Sequence, residues 1–584
     1  MIEDKKKKAK KKSFFFEDYT ESQIIYDNKY SNYIKVSLGR VTILFFVFFS
    51  LIFIFCIKIV YVSLFQEKIF FSEKNSLNFL NTRADIVDRN GIILARNINI
   101  YRAGIRPKFI KDKEKFIINL RLKFPELDVN EIKDKLSKEK FFYLGNRRFT
   151  EEEKDRLWSL GLSNKVLDLK KKQYRIYPQK NLFSHVLGQT DDGNSGISGV
   201  EKFFDRNLKN IKTINSSLVL TLDSNLQYLI REELIDAKVD FKTVGAAALL
   251  MDIDNGEILS LISLPDYNLN ERISIYEDKY TNKITKGVYE LGSVFKTFTV
   301  AAGLENKKIN SNTIFKNLER NLTCGKHRVG EHDLLPKNLS VEQILIRSSN
   351  IGSVKIAQKI GVEKYKEFLN SLELLEKIDF ELEEITPPLD YKWGKCELIT
   401  ASYGQGITTT LLQLAKAYAI LGNGGFKIKP FILKKKIASV KKFEQIVSTE
   451  TSDLINSILR KVVSEKEGTA NFANIEGYEV AGKTGSAYKL VDGVYDKYKK
   501  RNTFVSLFPA SRPEYVLLVM LDEPKSAPNF IYNMPPSKKF PNGYKYKGEK
   551  RNTSGWNTVV VVGKIIEKIG PILAINNLQA SSNF

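Results

Sequence analysis

Ser293 and Lys296, in GSVFK, are three residues apart, and on a helix that spacing puts side chains on one face with Cβ atoms about 5 to 6 Å apart. A neutral lysine amine beside a serine hydroxyl can take its proton and turn a poor nucleophile into a good one. The spacing alone selects nothing, since Ser137/Lys140, Ser439/Lys442 and Ser486/Lys489 repeat it. Two groups of residues farther along the chain set Ser293 apart. Ser348, Ser349 and Asn350 stand together in RSSNIG, and Lys483, Thr484, Gly485 and Ser486 in AGKTGS. Such residues can supply what acyl transfer needs: a nucleophile, a base, a proton path to the leaving amine and donors for the oxyanion. Each also has an ordinary structural reading. The serines can cap helices, Asn350 can be a turn residue and KTG a turn. The three histidines, His185, His327 and His332, adjoin none of these motifs, so a Ser-His-Asp triad is poorly supported. No CxxC or HExxH occurs, and no metal or cofactor is expected.

The elements that must position these residues are legible in outline. NG at 90 and 91 and NG at 255 and 256 each lie between apolar runs, which signals hairpins. SNLQYLIREELIDA (224–237) has a helical pattern and reads as a connector. Two strand-like runs within 244–268 precede a block from 293 to about 465 in which helical patterns dominate, and β-rich runs return at 478–490, 502–510 and 514–524. Strands at both ends around a helical middle predict an α+β domain whose two chain ends build one antiparallel sheet. The last pattern, TVVVVGKIIEKIGPIL, predicts a terminal helix.

Length and charge bound the rest. At 584 residues the chain has room for at least two domains. Its net charge is +24, but residues 1–12 hold only seven lysines against two acids, so the excess is spread along the chain. No zinc-finger spacing, RNP-like aromatic signature or helix-turn-helix pattern accompanies it, and no nucleic acid is expected as a partner. VTILFFVFFSLIFIFCI (41–57) is uncharged, and apolar character resumes after Lys58 as far as Phe65. That is enough for one membrane-spanning helix, with the preceding lysines holding the N-terminus in the cytoplasm. Cys324 and Cys396 would then lie outside, where a bridge is permitted; the sequence does not show that they meet.

SxxK, SxN and KTG in this order resemble the motif set of the penicillin-binding proteins and class A β-lactamases. The wider chain is similar to the class B penicillin-binding proteins. RADIVDRNGIILA resembles their RGxIxDRNGxxLA segment, SGVEKFFDRNL their GxEKxYDxxL segment, and EILSLISLPDYNLN their EILAMASxPDYDPN segment. ASYGQGITTTLLQLAKAYAILGNGG is similar to the block between the second and third motifs, and Asn350 in SSN resembles the division-type, FtsI-like members. Ser486 departs from the usual second threonine after KTG but keeps a hydroxyl.

The resemblance implies an α+β transpeptidase domain of the penicillin-binding-protein and serine β-lactamase type, preceded by a mixed α/β pedestal and one transmembrane helix. It implies a basic cytoplasmic tail at 1–40, a signal anchor at 41–65, a pedestal at 66–235, the transpeptidase domain at 236–575 and a tail at 576–584. Catalysis would fall to Ser293 as nucleophile, Lys296 as base, Ser348 as proton relay, Asn350 orienting Lys296, and Lys483 as the neighbouring cation. Ser349, Thr484, Gly485 and Ser486 would bind substrate, with the N–H groups of Ser293 and Ser486 as the oxyanion hole. Implied partners are stem peptides ending in D-Ala-D-Ala, β-lactams, the membrane, an FtsW-type glycan polymerase and other division proteins. A β-lactamase would need a further base to activate water, and a β-lactam sensor a cytoplasmic output module. A septal scaffold with a degenerate site is the non-enzymatic alternative, which only activity can separate.

Overall fold

The computed structural model describes residues 42–58 and 83–582, apart from 146, 211–215, 272, 275, 326, 383–385, 436–443 and 535–539. Residues Met1–Leu77 and Asn78–Phe584 form separate compact units. In the first, residues 42–58 are helical with exposed side chains. The expected basic tail and residues 59–65 of the expected anchor lie outside the described residues, and no helix among the described residues is long and apolar enough to cross a membrane.

The second unit begins with a mixed sheet. β1 (Ile86–Val87) turns at Asn90 and Gly91 into the long β2 (Ile93–Ile105), and the two pair antiparallel as NG predicts. Helices α1 (Lys113–Lys123), α2 (Val129–Ser137) and α3 (Glu151–Trp158) flank β3 (Phe142–Tyr143), and β4 (Leu167–Ile176) returns along β2. Alternation sends Tyr101, Ala103 and Ile105 of β2 into a small core with Phe116, Leu120, Phe124 and Phe149, so this outer lobe has its own packing centre. β5 (Leu218–Val219) closes the sheet parallel to β1.

The two quoted segments RADIVDRNG and GVEKFFDRNL meet through buried charge. Arg83 bonds Glu201 at 2.7 Å and Asp205 at 2.5 Å, and Arg175 of β4 bonds the other oxygen of Glu201 at 2.7 Å. A buried carboxylate so paired is costly to orphan, by about 3 to 5 kcal/mol.

α4 (Ser224–Asp240) is the helix expected at 224–237, but it is no mere connector. It is capped by Asp223 and runs unbroken through residues 235 and 236, and its Leu226, Ile230 and Leu234 pack in the same core as the next sheet. That sheet starts with β6 (Gly245–Asp252) and β7 (Ile258–Leu264), hairpinned over Asn255 and Gly256. Helices come next: α5 (Phe295–Glu305), α6 (Val341–Ile346), α7 (Asn350–Ile360), α8 (Lys395–Ala401), α9 (Leu411–Gly422) and α10 (Thr449–Ser464), with the short hairpin β8 (Asn321–Cys324) and β9 (His327–Gly330) between α5 and α6. β10 (Ala481–Val491), β11 (Val494–Phe508) and β12 (Tyr515–Asp522) complete the sheet in the antiparallel order β10-β11-β12-β6-β7, and α11 (Thr558–Ser582) ends the chain. Both chain ends thus build one sheet, as predicted. β12 and β6 are buried along almost their whole length because helices cover both faces. Cys324 and Cys396 are joined, tying β8 to α8.

Candidate active site

Ser293 sits in a single 3-10 turn, Gly292–Val294, that leads into α5 without a side-chain cap. Its support comes from α9, where the Tyr418 hydroxyl donates to the Val294 carbonyl at 2.8 Å and lies 2.8 Å from the Thr297 hydroxyl. One helical turn on, the fully buried Lys296 points its amine at the second motif. Lys296 Nζ donates to the Ser348 carbonyl at 2.5 Å and to Ser348 Oγ at 3.1 Å. Lys483, also fully buried on β10, donates to the same Ser348 Oγ at 3.0 Å and to the Thr484 carbonyl at 3.1 Å. One serine hydroxyl therefore lies between two lysine amines, and the three motifs converge on it.

The turn carrying Ser293 lies against β10, the edge strand of the sheet. A Cβ on Gly485 would stand 2.3 Å from the Leu291 carbonyl, and one on Gly292, which has φ +62°, 2.6 Å from the Ser486 carbonyl. Only glycine permits that approach. Ser293, Ser348, Thr484 and Ser486 line a cleft of about 830 Å³, with Lys466, Lys500, Lys550 and Arg551 on its rim. Thr484 Oγ1 is 2.7 Å from Thr469 Oγ1, and the Ser554 N–H donates to Ser486 Oγ at 3.1 Å.

Burial strips water from both amines. It pushes the Lys296 ammonium down to about 7 against the opposing pull of the Glu331 carboxylate. Lys483, expected as the cation that depresses Lys296, is itself held well below the ordinary lysine value by burial and then by the Lys296 charge. A proton therefore leaves the pair near neutral pH, and a free amine is available to accept one from a hydroxyl.

Ser348 has φ +58°, a left-handed conformation unusual for a residue with a side chain. The residues that follow it are held by a contact that escapes sequence reasoning. Glu331, just after β9, accepts from Ser349 Oγ at 2.6 Å, from the Asn350 N–H at 2.9 Å and from the Ile351 N–H at 2.9 Å. Its carboxylate sits on the N-terminus of α7, where backbone donors and the helix dipole favour an anion. The E-H-D run bears no spacing relation to SSN, and a carboxylate after a short polar hairpin gives no pattern to read.

Two expected roles, those of Ser349 and Asn350, differ from what the structure shows. Ser349, expected to bind substrate, is fully buried as the N-cap of α7: it accepts from the Gly352 N–H at 2.9 Å and donates to Glu331. Its small hydroxyl is consumed by the helix start. Asn350 was expected to orient Lys296, but Asn350 Nδ2 donates to the Gly330 carbonyl at 2.7 Å, and its Oδ1 is buried without a partner. His332, remote from the motifs in sequence, lines the cleft because the same hairpin places Glu331 there. Among the described residues no cluster of His, Cys, Asp or Glu suits a metal ion.

Comparison with known proteins bears on the whole arrangement. Residues 246–535 match the family described as penicillin binding protein transpeptidase domain, and residues 80–228 the penicillin-binding protein dimerisation domain. The chain is 28% identical over 504 residues to the probable peptidoglycan D,D-transpeptidase FtsI of Caulobacter vibrioides, covering 84% of this chain and 82% of that one. It is 30% identical over 520 residues to stage V sporulation protein D of Bacillus subtilis, covering 79% and 77%. A crystal structure of penicillin-binding protein 3 from Mycobacterium tuberculosis, complexed with aztreonam, superposes with a TM-score of 0.62 over 85% of this chain and 96% of that one. At 21% identity that likeness speaks for the fold.

Proposed function

Because the chain belongs to the division-type class B penicillin-binding proteins, we propose that it is a peptidoglycan D,D-transpeptidase of septal wall synthesis and a target of β-lactams. The observation that carries this reading is Ser348 Oγ held between Lys296 and Lys483 beside the Ser293 turn. Ser293 attacks the carbonyl of the penultimate D-alanine, forming an acyl ester and expelling the terminal D-alanine. Lys296, neutral over much of the physiological range, takes the Ser293 proton, and Ser348 passes one to the leaving amine. The N–H groups of Ser293 and Ser486 hold the oxyanion. Thr484 and Ser486, with the cationic rim, hold the terminal carboxylate. An amine from a neighbouring stem then attacks the ester and makes the cross-link.

Glu331 bears on the hydrolase alternative. Three donors already occupy most of the roughly four acceptor positions of its carboxylate. It serves the helix start, so it does not offer the free base that activation of a deacylating water requires.

The division between pedestal and transpeptidase is placed before α4, which is tied to the catalytic sheet where Gln227 Nε2 donates to the Leu261 carbonyl of β7 at 2.9 Å. The helix at 42–58, uncharged as far as Ile57, and the lysines before it support a single-pass anchor in the cytoplasmic membrane with the catalytic unit outside. The likeness to FtsI-named relatives supports a separate glycan polymerase of the FtsW type and other division proteins as its partners. Incubation of the chain with a fluorescent penicillin, beside a folded Ser293→Ala variant, tests the reading. A label that persists for many minutes and is absent from the variant is expected. A folded wild-type protein that takes no label refutes it.

A further inference from the structure

The outer lobe carries a concentration of charge that acyl transfer does not use. Arg102 of β2 stands directly across from Lys170 of β4, and Ile100 across from Lys172, on the face turned away from the lobe's core. Like charges opposed in an antiparallel register destabilise the pair. Here no carboxylate relieves them: among the described residues, Arg102, Arg148, Lys170 and Lys172 form no ion pair. The cations lie over rings instead. The Arg102 guanidinium is 4.2 Å and Lys170 Nζ 5.9 Å from the same Tyr143 ring, and the Arg148 guanidinium is 4.3 Å from the Tyr174 ring. A guanidinium held over a ring still has N–H groups to offer a planar oxyanion.

That face opens on a cavity of about 500 Å³. Its charged lining is Arg102, Arg148, Lys172 and Arg175 against Asp191 and Asp192. Asp191 already accepts from the Ser195 N–H at 2.8 Å, while Nη2 of the buried Arg175 has no hydrogen-bond partner. The floor is firmly built where the lobe meets the chain after β7. Asn270 bonds both the N–H and the carbonyl of Tyr177 at 2.9 Å, and Gln189 Nε2 donates to the Leu269 and Glu271 carbonyls at 2.9 and 2.7 Å.

We propose that this cavity binds a multivalent oxyanion, with Arg102 and Arg148 as the two guanidinium forks and Lys172 as the third charge. Such an anion would bridge the Arg102 and Lys170 strands and remove their repulsion. A pyrophosphate group and the several carboxylates of a stem peptide share this chemistry. The site is independent of Ser293 and of the proposed reaction.

Titration calorimetry on the full chain in detergent at low ionic strength, with pyrophosphate and with a stem pentapeptide as probes, tests it. At least one probe should bind, and Arg102→Ala or Arg148→Ala should each weaken it about tenfold or more, the loss expected for a charged hydrogen-bonding partner. Covalent penicillin labelling of Ser293 should be unchanged in both variants, which shows that the fold survives. Should Arg102→Ala lose labelling, the exposed Arg148 decides alone. Binding of pyrophosphate only marks a phosphate source, and binding of the pentapeptide only marks a carboxylate source; either supports the site. Failure of both probes to bind, or affinity retained in a labelled Arg102→Ala/Arg148→Ala double variant, overturns the proposal.

Discussion

Replacing Glu331 by glutamine tests how the second motif is held, because it removes a charge while keeping the shape. Three donors converge on this carboxylate, from Ser349 Oγ and from the Asn350 and Ile351 N–H groups. The amide retains one acceptor oxygen and turns an NH₂ toward the remaining donors. Losing one or two charge-assisted bonds costs about 2 to 4 kcal/mol of local stability. If about half of that appears as misplacement of Ser348 in the transition state, penicillin acylation at its plateau falls about tenfold. A second effect has the opposite sense. Glu331 favours the protonated form of Lys296, so without it the Lys296 pKa drops below about 7. The neutral amine is the active form, hence wild-type acylation should rise with pH around 7 and level off above it, and the Glu331→Gln curve should rise at lower pH. Stopped-flow acylation across about pH 5 to 9 separates amplitude from midpoint. A plateau unchanged from wild type, or a midpoint that moves to higher pH, refutes the reasoning. A fall in amplitude with a fixed midpoint would reduce Glu331 to a helix cap.

Ser348→Gly relieves the left-handed backbone but deletes the relay hydroxyl, so acylation should drop about 10² to 10⁴-fold with thermal stability kept or raised; near-normal labelling in that variant refutes the relay. Gly485→Ala should abolish labelling, because its Cβ would stand 2.3 Å from the Leu291 carbonyl and force the Ser293 turn off β10; wild-type labelling kinetics would show that the contact is slack. Breaking the Cys324–Cys396 bridge, which spans 72 residues, should remove about 4 kcal/mol on the chain-entropy account. It should also slow acylation, since β8 and β9 lead directly to Glu331. A Cys396→Ser chain that labels at the wild-type rate would uncouple the hairpin from the site.

Much of this site was legible because its residues fall in short motifs whose order survives the distance between them. Ser293, Lys296, Ser348 and Lys483 are brought together as their types suggested, and both NG turns make hairpins. The misses have separate physical origins. Glu331 acts through backbone N–H groups, which have no sequence signature at the acceptor's end. Ser349 stands in the motif expected to bind substrate, although its place before α7 also fits an N-cap. β11 reaches back to Val494 through DKYKKR, where no residue is fully buried and no alternation betrays a strand. α4 resembles a connector in sequence because a helix buried beside a sheet on one stripe shows the same periodicity as one bridging two domains.

The large core runs from Ala84 and Leu94 through Phe183 and Leu208 to the catalytic sheet and Leu573, while the outer lobe packs on its own cluster around Phe124 and Phe149. Cooperativity tracks the packing, so heating should melt the lobe first and separately, with the inner pedestal and the sheet surviving together as one foldon. Load applied through the inner pedestal would then reach the Ser293 turn without a hinge between, whereas load on the lobe would be absorbed by the β2 and β4 arms.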